Sequence, residues 1–508
     1  MTLSRLFAAV AVALIAAPAL AIVARLAGAT DAGAVLAGAR AGELLVTTGL
    51  LAVSAGLVAV SIGAVGAWLT TRGAFRGRAL AVGLLLSPLG VPPYLVAQYW
   101  IEVSGPTGPL HGLLGGAFFG ELWAASVVIG LCTSPLCFGI LRAAMARLDG
   151  RYEDAAAALG DGPLARVLRV VLPLLVPALS ASFALVALYA CSDFGAVSAL
   201  GVPTFTRAIF FELELNFDRE AAMSATAVLS ALLLVLAAPF FALDRWGRGA
   251  ARFEGGTPRP AAELGPLGQA GVWGVVALVV GPTSGLVLAR TLSLLEPGRQ
   301  RLWGKAFDAL GTTLVWASSA ATVAVAVALL VVWVARRRGP TALVAAGSVG
   351  FVLPGPVVAL GVLLLVSATA WGRAHLYGTA ILLVGAWIVR ALPEALQSVD
   401  AGLEQIPSSY EEAARTLGRS GVGSVVATTL PLLKGSLAAA WIFVFAAAMR
   451  ELPAAMLLKP LGSRTLSHEL WAYAQDSYYA DMAPAALLLL LVTAPATSLV
   501  LLRASRTS

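Results

Sequence analysis

The sequence predicts an all-α integral membrane protein of about twelve transmembrane helices, arranged as two parallel six-helix repeats. Three observations support this fold class. Of the 508 residues, 59% are hydrophobic and only 12% are charged, against about 25% charged residues in soluble domains. The apolar residues form many runs of roughly 20 residues, the length that a helix needs to cross a bilayer. One segment of the first half also recurs 258 positions later.

The long apolar runs favour helices over other membrane architectures. An open sheet cannot cross lipid because its edge groups would remain unpaired, and the strands of a membrane barrel would be shorter and alternating. The N-terminal run resembles a signal peptide, but we expect it to remain as the first helix. The predicted spans are 6–27, 44–70, 79–103, 119–142, 172–192, 221–243, 270–291, 310–335, 342–368, 377–398, 434–453 and 483–503.

The positive charge predicts an orientation rather than a nucleic-acid partner. The net charge is +7, but the arginines cluster beside apolar segments, as in the positive-inside pattern. With an even number of helices, both termini are therefore predicted to face the cytoplasm, and the lipid bilayer is the expected surrounding. The clusters all follow even-numbered spans: Arg72, Arg76 and Arg78; Arg142, Arg147, Arg151, Arg166 and Arg169; Arg245, Arg248, Arg252 and Arg259; Arg336, Arg337 and Arg338; Arg503 and Arg506.

A linker-like stretch divides the chain near its middle. Residues 244–268 are rich in Gly, Pro and Arg, and they separate a predicted first repeat, 1–243, from a second, 269–508. Residues 152–179 align without a gap on 410–437, with 12 of 28 positions identical. Because both halves begin on the same side of the membrane, they are predicted to be parallel repeats related by an axis along the membrane normal.

The repeated segment predicts a helical elbow in each half. It reads RYEDAAAALGDGPLARVLRVVLP at Arg151–Pro173 and SYEEAARTLGRSGVGSVVATTLP at Ser409–Pro431. An alanine-rich helix ends at Leu-Gly, and glycine suits the left-handed conformation of a helix terminus. A more apolar helix then returns through Leu-Pro to the membrane. Each half is therefore predicted to extend a helix–glycine–helix elbow into the cytoplasm, bent at Gly160 and Gly418.

Polar residues suit the start of each elbow helix. Asp149 can cap the first one. In the second, Ser408 or Ser409 can form a capping box with Glu411 or Glu412. The small and acidic residues that follow would let another protein approach closely and form salt bridges. They are Glu153, Asp154, Ala155 and Ala156 in the first copy and Glu411, Glu412, Ala413 and Ala414 in the second.

The elbow motif resembles the cytoplasmic signature of ABC importer permeases: Glu-Ala-Ala, three residues, Gly, nine residues, then x-x-Leu-Pro. The second copy fits throughout, with Glu412-Ala413-Ala414, Gly418 and Leu430-Pro431. The first departs at Asp154, where the family has Glu, which shortens the side chain but keeps its charge. The resemblance implies the type I importer fold and a coupling role for both elbows, each seated in a groove of an ATPase subunit. The first copy otherwise matches at Ala155, Ala156, Gly160, Leu172 and Pro173.

ATP hydrolysis is expected to belong to separate subunits. A phosphate-binding loop ends in Gly-Lys-Ser/Thr. Among the three lysines, Lys305, Lys434 and Lys459, only Lys305 follows a glycine, and Ala306 comes next. We therefore expect that this chain is not an enzyme and binds no cofactor. Two copies of an ATPase, one on each elbow, would use ATP and Mg²⁺.

Two further pairs are candidates for the translocation pathway or its gate. Prolines interrupt predicted spans three and nine at Pro92-Pro93 and at Pro354-Gly355-Pro356; such breaks often line a pathway, although a packing kink is equally compatible. Asp193 and Glu451, again 258 positions apart, lie near the outer ends of spans five and eleven. Ionisable groups near the membrane are functional candidates. We expect these two to face each other at an outer gate, with Arg450 as a partner; the alternative is that they merely mark helix ends.

The cysteines and histidines indicate no metal site. Three cysteines cannot all pair with one another, and we expect them to pack among apolar residues. The histidines lie far apart and lack metal-ligand spacing. These residues are Cys132, Cys137, Cys191, His111, His375 and His468.

The segments around the two carboxylates resemble the fused permeases of bacterial ferric-iron importers. They read CSDFGAVSAL and MRELPAAMLLKP, followed by TFTRAIF at Thr204–Phe210 and SRTLSHELW at Ser463–Trp471. The resemblance implies an inner-membrane permease that takes ferric iron from an extracytoplasmic binding protein. Related permeases serve thiamine or phosphonates, which stay open as alternatives. A twelve-helix secondary transporter is the rival class, and the duplicated elbow argues against it.

Overall fold

A computed structural model of the chain describes residues 17–18, 21, 39–114, 120–250, 261–296, 300–336 and 353–507. Within these ranges eight helices are long and apolar enough to cross a membrane, or nine if a bent helix pair counts as one span. Two shorter apolar helices, Gly355–Ser367 and Tyr479–Pro495, add to them. The prediction of an all-α membrane protein is confirmed. Predicted span 6–27 lies almost wholly outside the described residues, as does the first part of 342–368. The described parts of the other predicted spans fall on helices, with 79–103 divided between two.

Within the described residues, the first part of the chain forms eleven α-helices and one short strand from Ala39 onward. In chain order they are α1 (Ala39–Arg72), β1 (Gly73–Ala74), α2 (Arg78–Leu86), α3 (Pro93–Ser104), α4 (His111–Leu114), α5 (Leu122–Arg147), α6 (Arg151–Ala158), α7 (Pro163–Arg166), α8 (Leu172–Ser192), α9 (Gly195–Ala199), α10 (Phe205–Glu214) and α11 (Arg219–Ala250).

The second part continues with one further strand and twelve helices. They are β2 (Ala262–Glu263), α12 (Pro266–Val280), α13 (Leu286–Ser293), α14 (Gln300–Arg336), α15 (Gly355–Ser367), α16 (Ala370–His375), α17 (Ala380–Glu404), α18 (Ser409–Thr416), α19 (Gly421–Ser424), α20 (Leu430–Arg450), α21 (Pro453–Leu458), α22 (Leu466–Gln475) and α23 (Tyr479–Thr507).

The chain divides into two compact units that interleave in sequence. One comprises Thr30–Gly298 with Tyr473–Ser508, and the other Met1–Ala29 with Arg299–Ala472. In the first unit, α1 packs on α5 and α8. In the second, α14 packs on α17 and α20. Each unit therefore contains the same three-helix arrangement, built from helices at corresponding places in the two sequence halves.

The predicted span 79–103 is two helices rather than one. A short 3₁₀ turn, Ser87–Gly90, follows α2, and α3 begins at Pro93 with an 89° bend between them. Two prolines in succession cannot donate the backbone hydrogen bonds that would continue α2. In the same unit, α23 packs against this turn, where the Thr493 hydroxyl donates to the Gly90 carbonyl at 2.7 Å.

The structure describes residues 244–250 and 261–268 of the predicted linker. Helix α11 continues to Ala250, and α12 begins at Pro266. Between them, β2 pairs in parallel with β1, so that Gly73 lies beside Ala262. Residues 244–250 of the predicted linker are therefore helical. The linker composition carried no signal for the strand pairing, because a strand of two residues has no periodicity to read. The repeat boundaries 1–243 and 269–508 stay a prediction.

Candidate functional site

The first elbow has the predicted helix–glycine–helix geometry. Helix α6 ends in a Schellman motif: the Gly160 N–H donates to Ala157 at 3.0 Å, and the Asp161 N–H donates to Ala156 at 3.0 Å. Gly160 has φ 90°, in the left-handed region that glycine adopts without steric cost. At the other end, the N-cap residue is Gly150 rather than the predicted Asp149; the Asp149 carboxylate, one residue earlier, accepts the Arg151 N–H at 3.0 Å.

The second elbow repeats this geometry. Helix α18 ends with the same two bonds, from Gly418 to Arg415 at 2.9 Å and from Arg419 to Ala414 at 3.1 Å, and Gly418 has φ 82°. The predicted capping box is wrong. Ser408 has helical backbone angles, whereas a residue whose side chain caps a helix normally has an extended backbone, and the Ser408 side chain makes no capping bond.

Each elbow helix has one face toward the protein and one toward solvent. Ala156 and Ala414 are buried, whereas Ala155 and Ala413 are exposed. Asp154 and Glu412 are exposed as well. Of each predicted alanine pair, therefore, only the first alanine is available to another protein. The exposed face continues to the residue before the glycine, which is a leucine in both copies, Leu159 and Leu417, exposed by 88% and 84%.

The first acidic residue of each motif turns inward. Glu153 is buried and forms an ion pair with Arg72, the last residue of α1. Its counterpart Glu411 accepts the Thr429 hydroxyl at 2.7 Å and lies 3.5 Å from Arg415. These carboxylates hold the elbows to their own unit, so they are not part of the exposed face on which we expected them.

A π-helical turn joins each elbow to the membrane helix that follows. It comprises Val167–Val171 in the first copy and Val425–Thr429 in the second, just before Leu-Pro. Proline removes one N–H donor and crowds the preceding turn, and a π turn accommodates this by widening the ring of the hydrogen bond. The same π turn accommodates the proline in both copies.

Asp193 lies between the end of α8 and the start of α9. It is the C-terminal cap residue of α8, and its carboxylate accepts the N–H of Ala196 at 2.8 Å and of Val197 at 3.3 Å. Its backbone carbonyl accepts the Thr206 hydroxyl at 2.7 Å. The prediction that Asp193 lies at a helix end is confirmed, and the structure gives it a capping contact.

Glu451 has the same place at the end of α20. Its carboxylate accepts the Ala454 N–H of α21 at 2.9 Å and is 3.4 Å from Trp387 Nε1. The backbone of Ala455 contributes a further hydrogen bond to this carboxylate. The Arg450 side chain donates through Nε to the Ala446 carbonyl, one turn earlier in α20, at 2.9 Å.

Within each unit, the predicted proline break lies next to the predicted carboxylate. Pro354 caps the start of α15, and a Cβ on Gly355 would lie only 2.5 Å from Glu451 Oε1. In the other unit, α3 begins after Pro92, and its Tyr94 packs on Gly195, two residues beyond Asp193. The sequence predicted these features separately, and the fold brings them together in both copies.

In each unit, a buried threonine side chain accepts a hydrogen bond from the first N–H of a later helix, α10 in one unit and α22 in the other. The Thr48 hydroxyl accepts the Phe205 N–H at 3.3 Å, and the Thr313 hydroxyl accepts the Leu466 N–H at 2.9 Å. Sequence reasoning missed these threonines, because the Thr-Thr pair in which each one stands does not reveal the distant N–H that it binds. Near the second contact, burial lowers the pKa of His468 to about 4, with the positive charges of Lys459 and Arg464 contributing. Its imidazole is therefore neutral at pH 7.

The described residues contain no group of three or more His, Cys, Asp or Glu side chains that could hold a metal ion. The three cysteines are buried and unpaired with one another. Two exposed leucines at the elbow tips, Leu159 and Leu417, were missed as candidates. Their signal was present in the sequence as the Leu-Gly repeated at a spacing of 258.

Comparison with known proteins places the chain among transport permeases. It is 29% identical over 438 residues to the Fe(3+)-transport system permease protein of Haemophilus influenzae, covering 84% of this chain and 83% of that protein. It is 24% identical over 451 residues to the ferric transport system permease protein of Actinobacillus pleuropneumoniae, covering 81% of this chain and 64% of that protein. No family model matches.

A shorter match reaches a different transport system. The molybdenum transport system permease protein of Escherichia coli is 27% identical over 186 residues, which cover 81% of that protein but only 35% of this chain. A probable ABC transporter permease protein of Sinorhizobium fredii matches at 27% identity over 70% of this chain. Together with the duplicated elbows and the apolar helices, these matches show that the chain is similar to the permease subunits of ABC transport systems.

Proposed function

We propose that this permease imports ferric iron, delivered by an extracytoplasmic binding protein and driven by a cytoplasmic ATPase. The observation that carries the proposal is the extent of the match with permeases named for ferric iron. It covers 84% of this chain and 83% of one such relative, whereas the match with a molybdenum permease covers 35% of this chain. Similarity to the iron permeases therefore includes both halves.

The proposed machine places the chain in the bacterial inner membrane with both termini in the cytoplasm. Each of two ATPase copies would bind one elbow. The first copy would contact Asp154, Ala155 and Leu159 of the first elbow, and the second would contact the corresponding residues of the other elbow. The exposed carboxylate, the small exposed side chain and the apolar tip together form a surface that fits a groove in another protein. ATP and Mg²⁺ would bind to the ATPase, and this chain would bind no cofactor.

At the outer ends of α8 and α20, we propose that Asp193 and Glu451 act on the cargo or on the gate. Ferric iron is a hard cation that prefers oxygen ligands, and a bare cation in an apolar path would carry a prohibitive desolvation cost. Proline breaks beside both carboxylates support this role, since broken helices often line a pathway. A small chelating anion that accompanies iron would lower the same cost.

Reconstitution tests the cargo directly. The chain, its ATPase and its own receptor would be incorporated into liposomes, and uptake of ferric iron, thiamine, a phosphonate and molybdate would be measured with and without ATP. We expect uptake of iron alone, dependent on both ATP and receptor. Uptake of another solute in place of iron would overturn the cargo proposal and leave the importer class intact. Uptake driven by an ion gradient without the ATPase would instead support a secondary transporter.

A further inference from the structure

The first elbow is attached to its unit at a second point besides its own chain. Along the chain, α6 is connected to α8 through the bend at Gly160, α7 and the π turn. Independently, Glu153 on α6 pairs with Arg72 at the end of α1. The two side chains are only 9% and 12% exposed, so solvent screens their attraction far less than it screens a surface ion pair.

Arg72, the partner of Glu153, contacts one further side chain and is followed directly by a paired strand. The Arg72 guanidinium lies 5.6 Å from the centre of the Trp68 ring on the same helix. The next two residues form β1, which pairs with β2, and the Leu264 N–H donates to Ala74 at 3.1 Å. Two residues beyond Leu264, α12 begins. A displacement of α6 would therefore reach α1 directly and α12 through the strand pair.

The carboxylate of the second copy has a different hydrogen-bond donor. Glu411, the counterpart of Glu153, bonds the hydroxyl of Thr429 in its π turn. The position that corresponds to Thr429 in the first copy is Val171, which has no hydroxyl to donate. In the first copy, then, the carboxylate could not have been satisfied in this way.

We propose that Arg72 and Glu153 are positioning residues that transmit motion of the first elbow to α1, and through β1 and β2 to α12. This inference rests on the proposed role of the elbows in coupling to an ATPase. A buried ion pair is a stiff connection, because separating its members leaves an uncompensated charge in a poorly solvated place. The pair therefore makes α6 and the end of α1 move together.

The test measures transport per ATP hydrolysed in the reconstituted complex, with ferric iron supplied on its receptor. Arg72→Gln and Glu153→Gln each break the pair with little change in size. In complexes that assemble normally, we expect each to lower the ratio of transport to hydrolysis by about two- to thirtyfold, the range typical of residues that carry coupling between sites. The charge swap, Arg72→Glu with Glu153→Arg, should restore most of the ratio.

A matched control comes from the same elbow. Arg169→Gln breaks an exposed pair with Asp161, whose members lie 3.1 Å apart and are 74% and 25% exposed; exposed pairs contribute little, so the ratio should stay near that of wild type. Should a single variant fail to assemble, Arg72→Lys keeps the charge and should couple normally. The proposal is overturned if Arg72→Gln or Glu153→Gln assembles and keeps the wild-type ratio, or if the swap assembles but remains uncoupled.

Failure of the proposed function would be visible in a different measurement. A wild-type complex that carried another solute would change the cargo, whereas the effect of the ion pair would still be read as a ratio to wild type for that solute. A wild-type complex whose transport did not depend on ATP would remove the coupling role of the elbows altogether.

Discussion

The backbone, rather than the surroundings, limits the choice of residue at Gly160 and Gly418. A Cβ added at either position would meet nothing within 4 Å, yet both have positive φ. A side chain in this conformation costs roughly 1–2 kcal/mol. We therefore expect Gly160→Val with Gly418→Val to abolish transport and weaken association with the ATPase, while insertion into the membrane persists.

Gly162 provides the control for this prediction, because a Cβ there also meets open space but its φ is −67°. Gly162→Val should associate with the ATPase normally in a pull-down and transport at the wild-type rate. Normal transport and normal receptor-stimulated hydrolysis in the Gly160 and Gly418 double variant would show that the elbows are not coupling elements.

At Asp193 and Glu451 the structure makes it possible to separate charge from capping. Asn and Gln keep an oxygen that can accept the N–H groups of Ala196 and Ala454, so the caps survive. Asp193→Asn with Glu451→Gln should therefore reduce iron uptake several-fold with folding and basal hydrolysis kept, because only the charge is lost. Uptake assays in liposomes would check this.

Alanine at Asp193 serves as the comparison. Asp193→Ala removes the cap as well and should lower the free energy of unfolding by about 0.5–2 kcal/mol, which a thermal melt would register. If iron uptake stays at the wild-type level in the Asn/Gln double variant, Asp193 and Glu451 serve only as helix caps and have no role in transport.

Among the helices, the contact between Thr313 of α14 and the first turn of α22 is a stability determinant. Thr313→Val keeps the shape of the side chain but leaves the buried Leu466 N–H without its acceptor, at a cost of about 1–3 kcal/mol. The melting temperature of the purified protein should fall, and Thr313→Ser should recover most of the loss. Thr312→Val is the matched control, since that hydroxyl bonds only within its own helix at an exposed position. A melting temperature no lower for the Thr313 variant than for the control would contradict the prediction.

The helices themselves could be predicted well, because runs of apolar residues have one stable conformation in lipid. The elbows could be predicted from Leu-Gly and Leu-Pro, which act locally. The bend at Pro92-Pro93 had a local cause and was found as well. What the sequence could not reveal were partners distant along the chain: Arg72 for Glu153, and Thr48 for the N–H of Phe205. A single side chain in an apolar run carries no mark of what it meets after folding.

For the whole molecule, orientation in the membrane follows from the distribution of arginines. Reporter fusions after residues 75, 155, 255, 337, 415 and 508 should all report the cytoplasm, because the basic clusters follow alternate predicted spans. A reporter active only outside the cytoplasm provides the complementary measurement at the same positions. An extracytoplasmic signal at residue 155 or 415 would place an elbow out of reach of any ATPase and defeat the coupling proposal.

The pairing of β1 with β2 has a consequence for the gene. The strand Ala262–Glu263, within the predicted linker, pairs with Gly73–Ala74, which lies in the first repeat. A gene interrupted within codons 251–260 would thus encode two polypeptides, one with β1 and the other with β2. The pairing of these strands would be a contact through which the two polypeptides could associate. Loss of codons 262–264 would remove that contact even from an unbroken reading frame.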